Sequence, residues 1–300
     1  MVRIDYLGIE AFLAIADHGS FQRAAKFLGL SQAALSHRLR KIETDLGVQL
    51  LVRSSHAISL TAAGEALLPK AGALLSQLQA VYDSVRVRQA EPTGKVAFAC
   101  LPSIASALLP QVLSEVAEEN PSLEIDVIEI PFREIGEKVR TGRCDFAISL
   151  VSAASSDLTT RFLREEPYYA FMRNDNRLAE RKSVTLEDLV EWPMVRLAPH
   201  KRSRQIIDKA LEGKSSLIHW PYEVQSSALA TRIVSQSTAI SVLPMCAIAL
   251  APRNVVSVRI DDTRIARDLA VITRRDSTLS PAGEYVLGKV EKYVVSMTTP

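Results

Sequence analysis

The chain has 300 residues, 47% hydrophobic and 23% charged, an ordinary composition for a folded protein of about two domains. No apolar run reaches the roughly 18 residues a membrane span needs, and Asp5 and Glu10 interrupt a signal-peptide reading, so the expected location is cytoplasmic, with no membrane partner. Net charge is +2 and lies wholly in residues 1–92, with 10 Lys+Arg against 8 Asp+Glu, while residues 93–300 hold 26 of each, so a polyanionic partner is expected at the N-terminal part.

Residues 1–60 read as three short helices and a hairpin. Ile9, Phe12, Leu13 and Ala16 share one helical face. Ser20 is placed to cap a helix from Phe21 to Leu28, and Gly29 supplies a permissive backbone at its end. Ser31 is placed to cap a third helix that stops before Gly47. "LLVRSSHAISLT" then offers two short strands around Ser54–Ser55–His56. From Ala62 to about Arg88 runs a long amphipathic helix, with Leu67, Leu74, Leu78 and Val81 on one stripe and Pro69 inside it. A stripe of that kind asks for a partner helix. "AEPTG" (Ala90–Gly94) reads as a hinge.

Beyond it strands and helices alternate. "KVAFAC", "LEIDVIEI" and "CDFAISLV" are strands separated by helices "ALLPQVLSEVAEE" and "REIGEKVRTG", a βαβαβ series with a parallel sheet. A second series runs from "PYYAFMR" to "AISVLP", and "DLAVITR" and the helix "PAGEYVLGKVEKYVV" follow. Two α/β lobes flanking a cleft fit this order.

Two helices joined by a tight glycine turn, the second starting at a cap, make a helix-turn-helix. At about 100° per residue, Leu35, Leu39, Ile42 and Leu46 fall in one sector and are expected to pack inward. Ala33, Ser36, His37 and Arg40 lie opposite, with Gln32 in the exposed first turn. Small Ala24 and Ala25 allow close packing of the second helix. A polar, mildly basic outer face suits a DNA major groove, where Gln pairs with adenine and Arg with guanine. Arg23, Lys26, Arg38, Lys41 and Arg53 are the expected phosphate contacts.

The stretch "GSFQRAAKFLGLSQAALSHRLRKIETDLGVQLLVRSSHAISLTAAGEALLP" resembles the N-terminal signature of LysR-type transcriptional regulators. The matching positions include Phe12, Gly19–Ser20–Phe21, Ala24–Ala25, Ser31–Gln32, Ser36, Glu43, Leu46–Gly47, Arg53 and Ala63–Gly64. "GRCDFAI", "STAISVLP" and "LSPAGEYVL" extend the resemblance. It implies an α/β protein with an N-terminal winged helix-turn-helix (residues 1–60), a long linker helix that dimerises (61–92), and a two-lobed, periplasmic-binding-protein-like effector domain (93–300). Lobe I would comprise 93–164 and 266–300, and lobe II 165–265. The implied partners are double-stranded DNA bearing an interrupted inverted repeat, a small-molecule effector, further copies of the chain as homodimer and homotetramer, and RNA polymerase. DNA-binding residues carried by the motif are Arg23, Ser31, Gln32, Ala33, Ser36, His37, Arg38, Arg40, Arg53 and His56. Ala33 stands where the family usually has proline, and Leu51 where it usually has phenylalanine. The wing has His56, Ala57 and Ser59 in place of a run of arginines.

Ligands of α/β sheets bind beyond the carboxyl ends of strands, near helix N-termini. Those ends, which match the family's ligand loops, give Pro102, Ser103, Ile104, Phe132, Ser149 and Val151 in the first lobe. In the second they give His200, Arg202, Ser203, Ser226 and Ser227. Ser103 and Ser227 are expected to cap helices, and His200, Lys201, Arg202 and Arg204 to add positive charge at the rim. A small carboxylate or similar anion is the expected effector.

No GxGxxG, P-loop, GxSxG or HExxH occurs, so neither catalysis nor a cofactor is expected. Cys100, Cys144 and Cys246 are widely spaced and expected to be buried thiols, with no metal site. A redox-responsive regulator on the same scaffold, through Cys100 and Cys144, is one alternative. A small-molecule-binding protein with no DNA role is another.

Overall fold

α1 (Tyr6–His18) begins at Asp5, whose carboxylate accepts from the Gly8 amide at 3.1 Å. α2 (Phe21–Phe27) begins at Ser20, which accepts from the Arg23 amide at 3.4 Å. Gly29 sits at φ +64°, a left-handed conformation open to glycine, and the Leu30 amide turns back to the Ala25 carbonyl at 2.9 Å. α3 (Gln32–Leu46) then starts at Ser31, whose hydroxyl accepts from the Ala34 amide at 3.1 Å. Ser31→Ala removes that cap, worth about 1 kcal/mol. Hydrogen exchange of the first-turn amides of α3 should quicken about fivefold, with the rest of the helix little changed.

The computed structural model describes residues 4–53, 58–86, 92–151, 155–211, 217–262, 264–275 and 277–297. The chain forms two compact units, Met1–Arg86 with Arg140–Arg143, and Val87–Val139 with Cys144–Pro300. The first has a core of Ala11, Phe12, Ile15, Ala24, Leu35, Leu39 and Leu50, each at most 1% exposed. Leu46 departs from expectation: it is the last residue of α3, beyond the core, and is 49% exposed.

β1 (Leu51–Arg53) and β2 (Ile58–Leu60) pair antiparallel to form the hairpin, Leu51 opposite Leu60. Glu43 of α3 fixes its entry by accepting from the amides of Leu50 at 2.9 Å and Leu51 at 3.3 Å. Thr61 donates to the Gln49 carbonyl at 2.6 Å and accepts from the Gly64 amide at 3.0 Å, opening α4 (Ala62–Arg86). A Cβ on Gly64 would lie 2.2 Å from the Leu50 carbonyl oxygen, so only glycine lets the hairpin and α4 pass this closely. Leu74 and Leu78 of the apolar stripe are exposed on α4, while Leu67 is half-buried. Val81 lies where no side chain is described.

Among the described residues the second unit is built on one sheet of ten strands. β3 (Gly94–Cys100) pairs parallel with β4 (Leu123–Glu129) and β5 (Phe146–Leu150), with α5 (Pro102–Glu119) and α6 (Phe132–Arg140) as crossovers. β6 (Leu158–Arg173) runs for 16 residues, well beyond the "PYYAFMR" legible in the sequence. β7 (Ser183–Val184), α7 (Leu186–Leu189), β8 (Met194–Leu197), α8 (Arg202–Leu211), β9 (Tyr222–Val224), α9 (Ser227–Gln236) and β10 (Ile240–Pro244) follow. After a 3₁₀ turn at Met245–Leu250 come β11 (Val255–Ile260), β12 (Ala266–Arg274) and α10 (Pro281–Ser296).

The first half of β6 pairs antiparallel with β12, and its second half with β10 and β11. β12 also pairs with β5. β6 thus links two lobes with separate cores. One packs Phe98 against Phe146 in a stack 4.9 Å apart, with Ile104, Ile135 and Val286. In the other, β6 is buried on both faces, Tyr168, Ala170 and Met172 on one and Tyr169 and Phe171 on the other. Among the described residues no helix is long and apolar enough to cross a membrane.

Candidate DNA-reading face and ligand cleft

The outer face of α3 is open to solvent in this chain. Ser31, Gln32, Ala33, His37 and Arg40 are exposed and Ser36 is half-buried, while Leu35, Leu39 and Ile42 turn into the core. Arg40 Nε donates to the Ser36 carbonyl at 3.2 Å, which lays the guanidinium along the helix. Arg23 is exposed at the start of α2.

Arg38 does not stand free for a phosphate. It is half-buried and paired with Glu10 of α1 at 3.4 Å, because α1 packs along that flank of α3. Lys41 pairs with Asp5 at 3.3 Å but stays 59% exposed. Arg53 ends β1, its side chain outside the described atoms, and His56, like the rest of the hairpin tip at 54–57, lies outside the described residues.

Within the second unit a cavity of about 460 Å³ opens between the two lobes. The first turns of four helices meet there, represented by Pro102 and Ser103 (α5), Phe132 (α6), Arg202 and Ser203 (α8), and Ser227 (α9). Helix starts carry unsatisfied amides and partial positive charge. His200 and Ser226 also line the wall. Leu101, Leu150, Leu197 and Leu250 make it largely apolar, and Glu129 is its acid besides the cations.

Three expected ligand residues are not on that wall. Ile104 is fully buried in the first lobe's core, one position past Ser103, which does face the cavity. Ser149 is fully buried within β5, opposite Ala270, because alternate residues of a strand point to opposite faces. Val151, just past β5, is exposed but not a wall residue. Arg204 turns from the rim to Asp208 at 2.7 Å and Glu223 at 3.6 Å. The cap of α9 is Ser226, accepting from Leu229 at 3.2 Å, rather than Ser227, and α5 has no side-chain cap.

The cavity floor is built by residues outside the expected ligand set. Arg267 of β12, only 6% exposed, lines it, and its Nε donates to Glu166 of β6 at 2.6 Å. Arg267 Nη2 donates to Ser103 Oγ at 3.2 Å and to Cys246 Sγ at 3.4 Å. The second Glu166 oxygen accepts from the Cys246 amide at 2.7 Å. Burial opposes the guanidinium's charge, but the Glu166 carboxylate outweighs it and holds Arg267 above the usual arginine range. Beside it Tyr168 donates to Ser203 at 2.9 Å, its phenol pushed up to about 12 by burial. The sequence signal was charge inside strands, in "REEPYY" and "ARDLAV".

Cys100, Cys144 and Cys246 are all buried free thiols. Burial pushes each thiol up, Cys144 to about 12, the opposite direction from an oxidant-reactive cysteine.

Residues 8–65 match the family model described as bacterial regulatory helix-turn-helix protein, lysR family, and residues 89–288 match the LysR substrate binding domain. The HTH-type transcriptional regulator YbhD of Escherichia coli (strain K12) is 31% identical over 277 residues, 92% of this chain and 87% of the relative. A single-residue variant of full-length OxyR from Pseudomonas aeruginosa shares the fold with a TM-score of 0.79 at 22% identity, covering 99% of this chain and 96% of that one. Full-length CbnR in complex with its target DNA gives 0.62 at 21% identity, covering 97% and 100%. The chain belongs to the LysR family of DNA-binding transcriptional regulators with an effector-binding domain, a family of regulators and not of enzymes.

Proposed function

We propose that α3 reads DNA and that a small carboxylate-bearing metabolite in the cleft controls the reading. The carrying observation is the convergence of four helix starts and several serine hydroxyls on one cavity of about 460 Å³. In this reading Gln32, Ala33, Ser36, His37 and Arg40 face base edges, and Arg23, Arg53 and the hairpin around His56 approach phosphates. His200 and Arg202 draw the anion toward the serines.

The same reading divides the chain into a DNA-binding domain at 1–60, a linker helix at 61–92 and an effector domain at 93–300. Exposed Leu74 and Leu78 on α4 support a homodimer through that helix. A homotetramer on an interrupted inverted repeat, RNA polymerase as a further partner and a cytoplasmic setting belong to the same reading. Ligand shifts the population toward a closed pair of lobes, with β6 and β12 as the strands that flex, and changes the spacing of paired α3 helices. The burial of all three thiols counts against a redox trigger. Titration of carboxylates and their neutral amides by calorimetry tests the effector class: acids bind and amides do not. Binding of neutral compounds alone contradicts it, and DNA affinity lost on peroxide treatment would favour the redox alternative.

A further inference from the structure

We infer that Arg267 receives the effector's acid group and that Glu166, as a positioning residue, restricts the cleft to monocarboxylates with an apolar body. This rests on the acid-effector reading and names where the acid sits. Arg267 and Glu166 are 6% and 0% exposed. Nε and Nη2 of Arg267 are occupied by Glu166, Ser103 and Cys246, but Nη1 has no hydrogen-bond partner among the described residues. Ser227, 5% exposed and also on the wall, has no side-chain partner among the described residues, since Ser226 takes the helix cap. Ser203 already accepts from the Tyr168 phenol, which leaves its own hydrogen to donate.

The cavity lining thus offers donors without acceptors among the described residues at Arg267, Ser203 and Ser227. A carboxylate, with about four acceptor positions, suits a wall of such donors. Both oxygens of Glu166 are engaged, so it holds the guanidinium plane and cancels its charge. A single negative charge adds to a neutral floor, whereas a second charge on the same head group meets the Glu166 carboxylate across the guanidinium. Leu101, Phe132, Leu150, Leu197 and Leu250 leave the body of the ligand in an apolar setting.

The experiment is calorimetric titration of the full chain with benzoate, phenylacetate and 3-methylbutanoate, with phenylphosphonate above neutral pH as the dianion and benzamide as the neutral isostere. At least one monocarboxylate binds, phenylphosphonate binds less tightly than benzoate, and benzamide fails to compete. Arg267→Gln weakens the acid about 30-fold, and Ser227→Ala, which strands no buried charge, about tenfold. Glu166→Gln raises affinity for phenylphosphonate relative to benzoate about tenfold, a reversal that mere loss of structure would not give. Where Arg267→Gln unfolds, Arg267→Gln joined to Glu166→Gln replaces both members of the pair and shows the same loss of acid. Arg267 and Ser227 variants that bind within threefold of the parent, while His200→Ala with Arg202→Ala abolishes binding, place the acid at the rim. That overturns this inference and leaves the acid-effector reading standing. If none of the acids binds at millimolar concentration, both fall.

Discussion

Gln32→Ala with Arg40→Ala lowers affinity for the protein's own operator about 100-fold or more and flattens its preference over unrelated DNA. A good bidentate side-chain contact to a base edge is worth roughly 1–3 kcal/mol, and two such residues stand exposed on the outer face of α3. Arg23→Ala should behave differently. As a phosphate contact it weakens binding to all sequences alike and reduces the slope of log affinity against log salt by about one. Fluorescence anisotropy across a salt series, with a fragment recovered from the genome by the purified protein and a scrambled control, separates the two patterns. Unchanged selectivity in the double variant would remove Gln32 and Arg40 from the reading face.

Glu166→Ala destabilises the second unit by about 3–5 kcal/mol, because it leaves the Arg267 guanidinium buried without its carboxylate. Replacing both partners by glutamine recovers most of that loss, since no buried charge then remains. Trp192 and Trp220, the two tryptophans of the chain, both lie in this unit, so their fluorescence during urea unfolding reports on it alone. A midpoint unmoved by Glu166→Ala would mean that water reaches the pair.

The helix-turn-helix was legible because its signals are local. Ser20, Gly29, Ser31 and Gly47 act within a few residues of themselves, and all four stand at helix ends in the structure. The angular test placed Leu35, Leu39 and Ile42 inside, and went wrong at Leu46, where periodicity continues but the core has ended. Arg38 and Lys41 show the limit for charge: whether a surface cation is spare depends on Glu10 and Asp5, which α1 brings up from about 30 residues away.

In the cleft, strand ends pointed to loops that line the cavity, since Ser103, Phe132, Ser203 and Ser227 all reach it. Strand order cannot say which neighbour turns inward, hence Ile104, Ser149 and Val151. Glu166 and Arg267 were hidden for a different reason. They sit opposite each other on two antiparallel strands, 101 positions apart in the chain, and a charged residue in a strand looks solvated until its partner is found.

The most direct measurement is photocrosslinking from α3 itself. A photoreactive side chain in place of Ala33 or His37 should crosslink to bases inside the protected half-sites of the operator. The same group in place of Lys182, exposed on the second unit, should give none. Crosslinks from position 182 with none from 33 or 37 would contradict a DNA-reading role for α3.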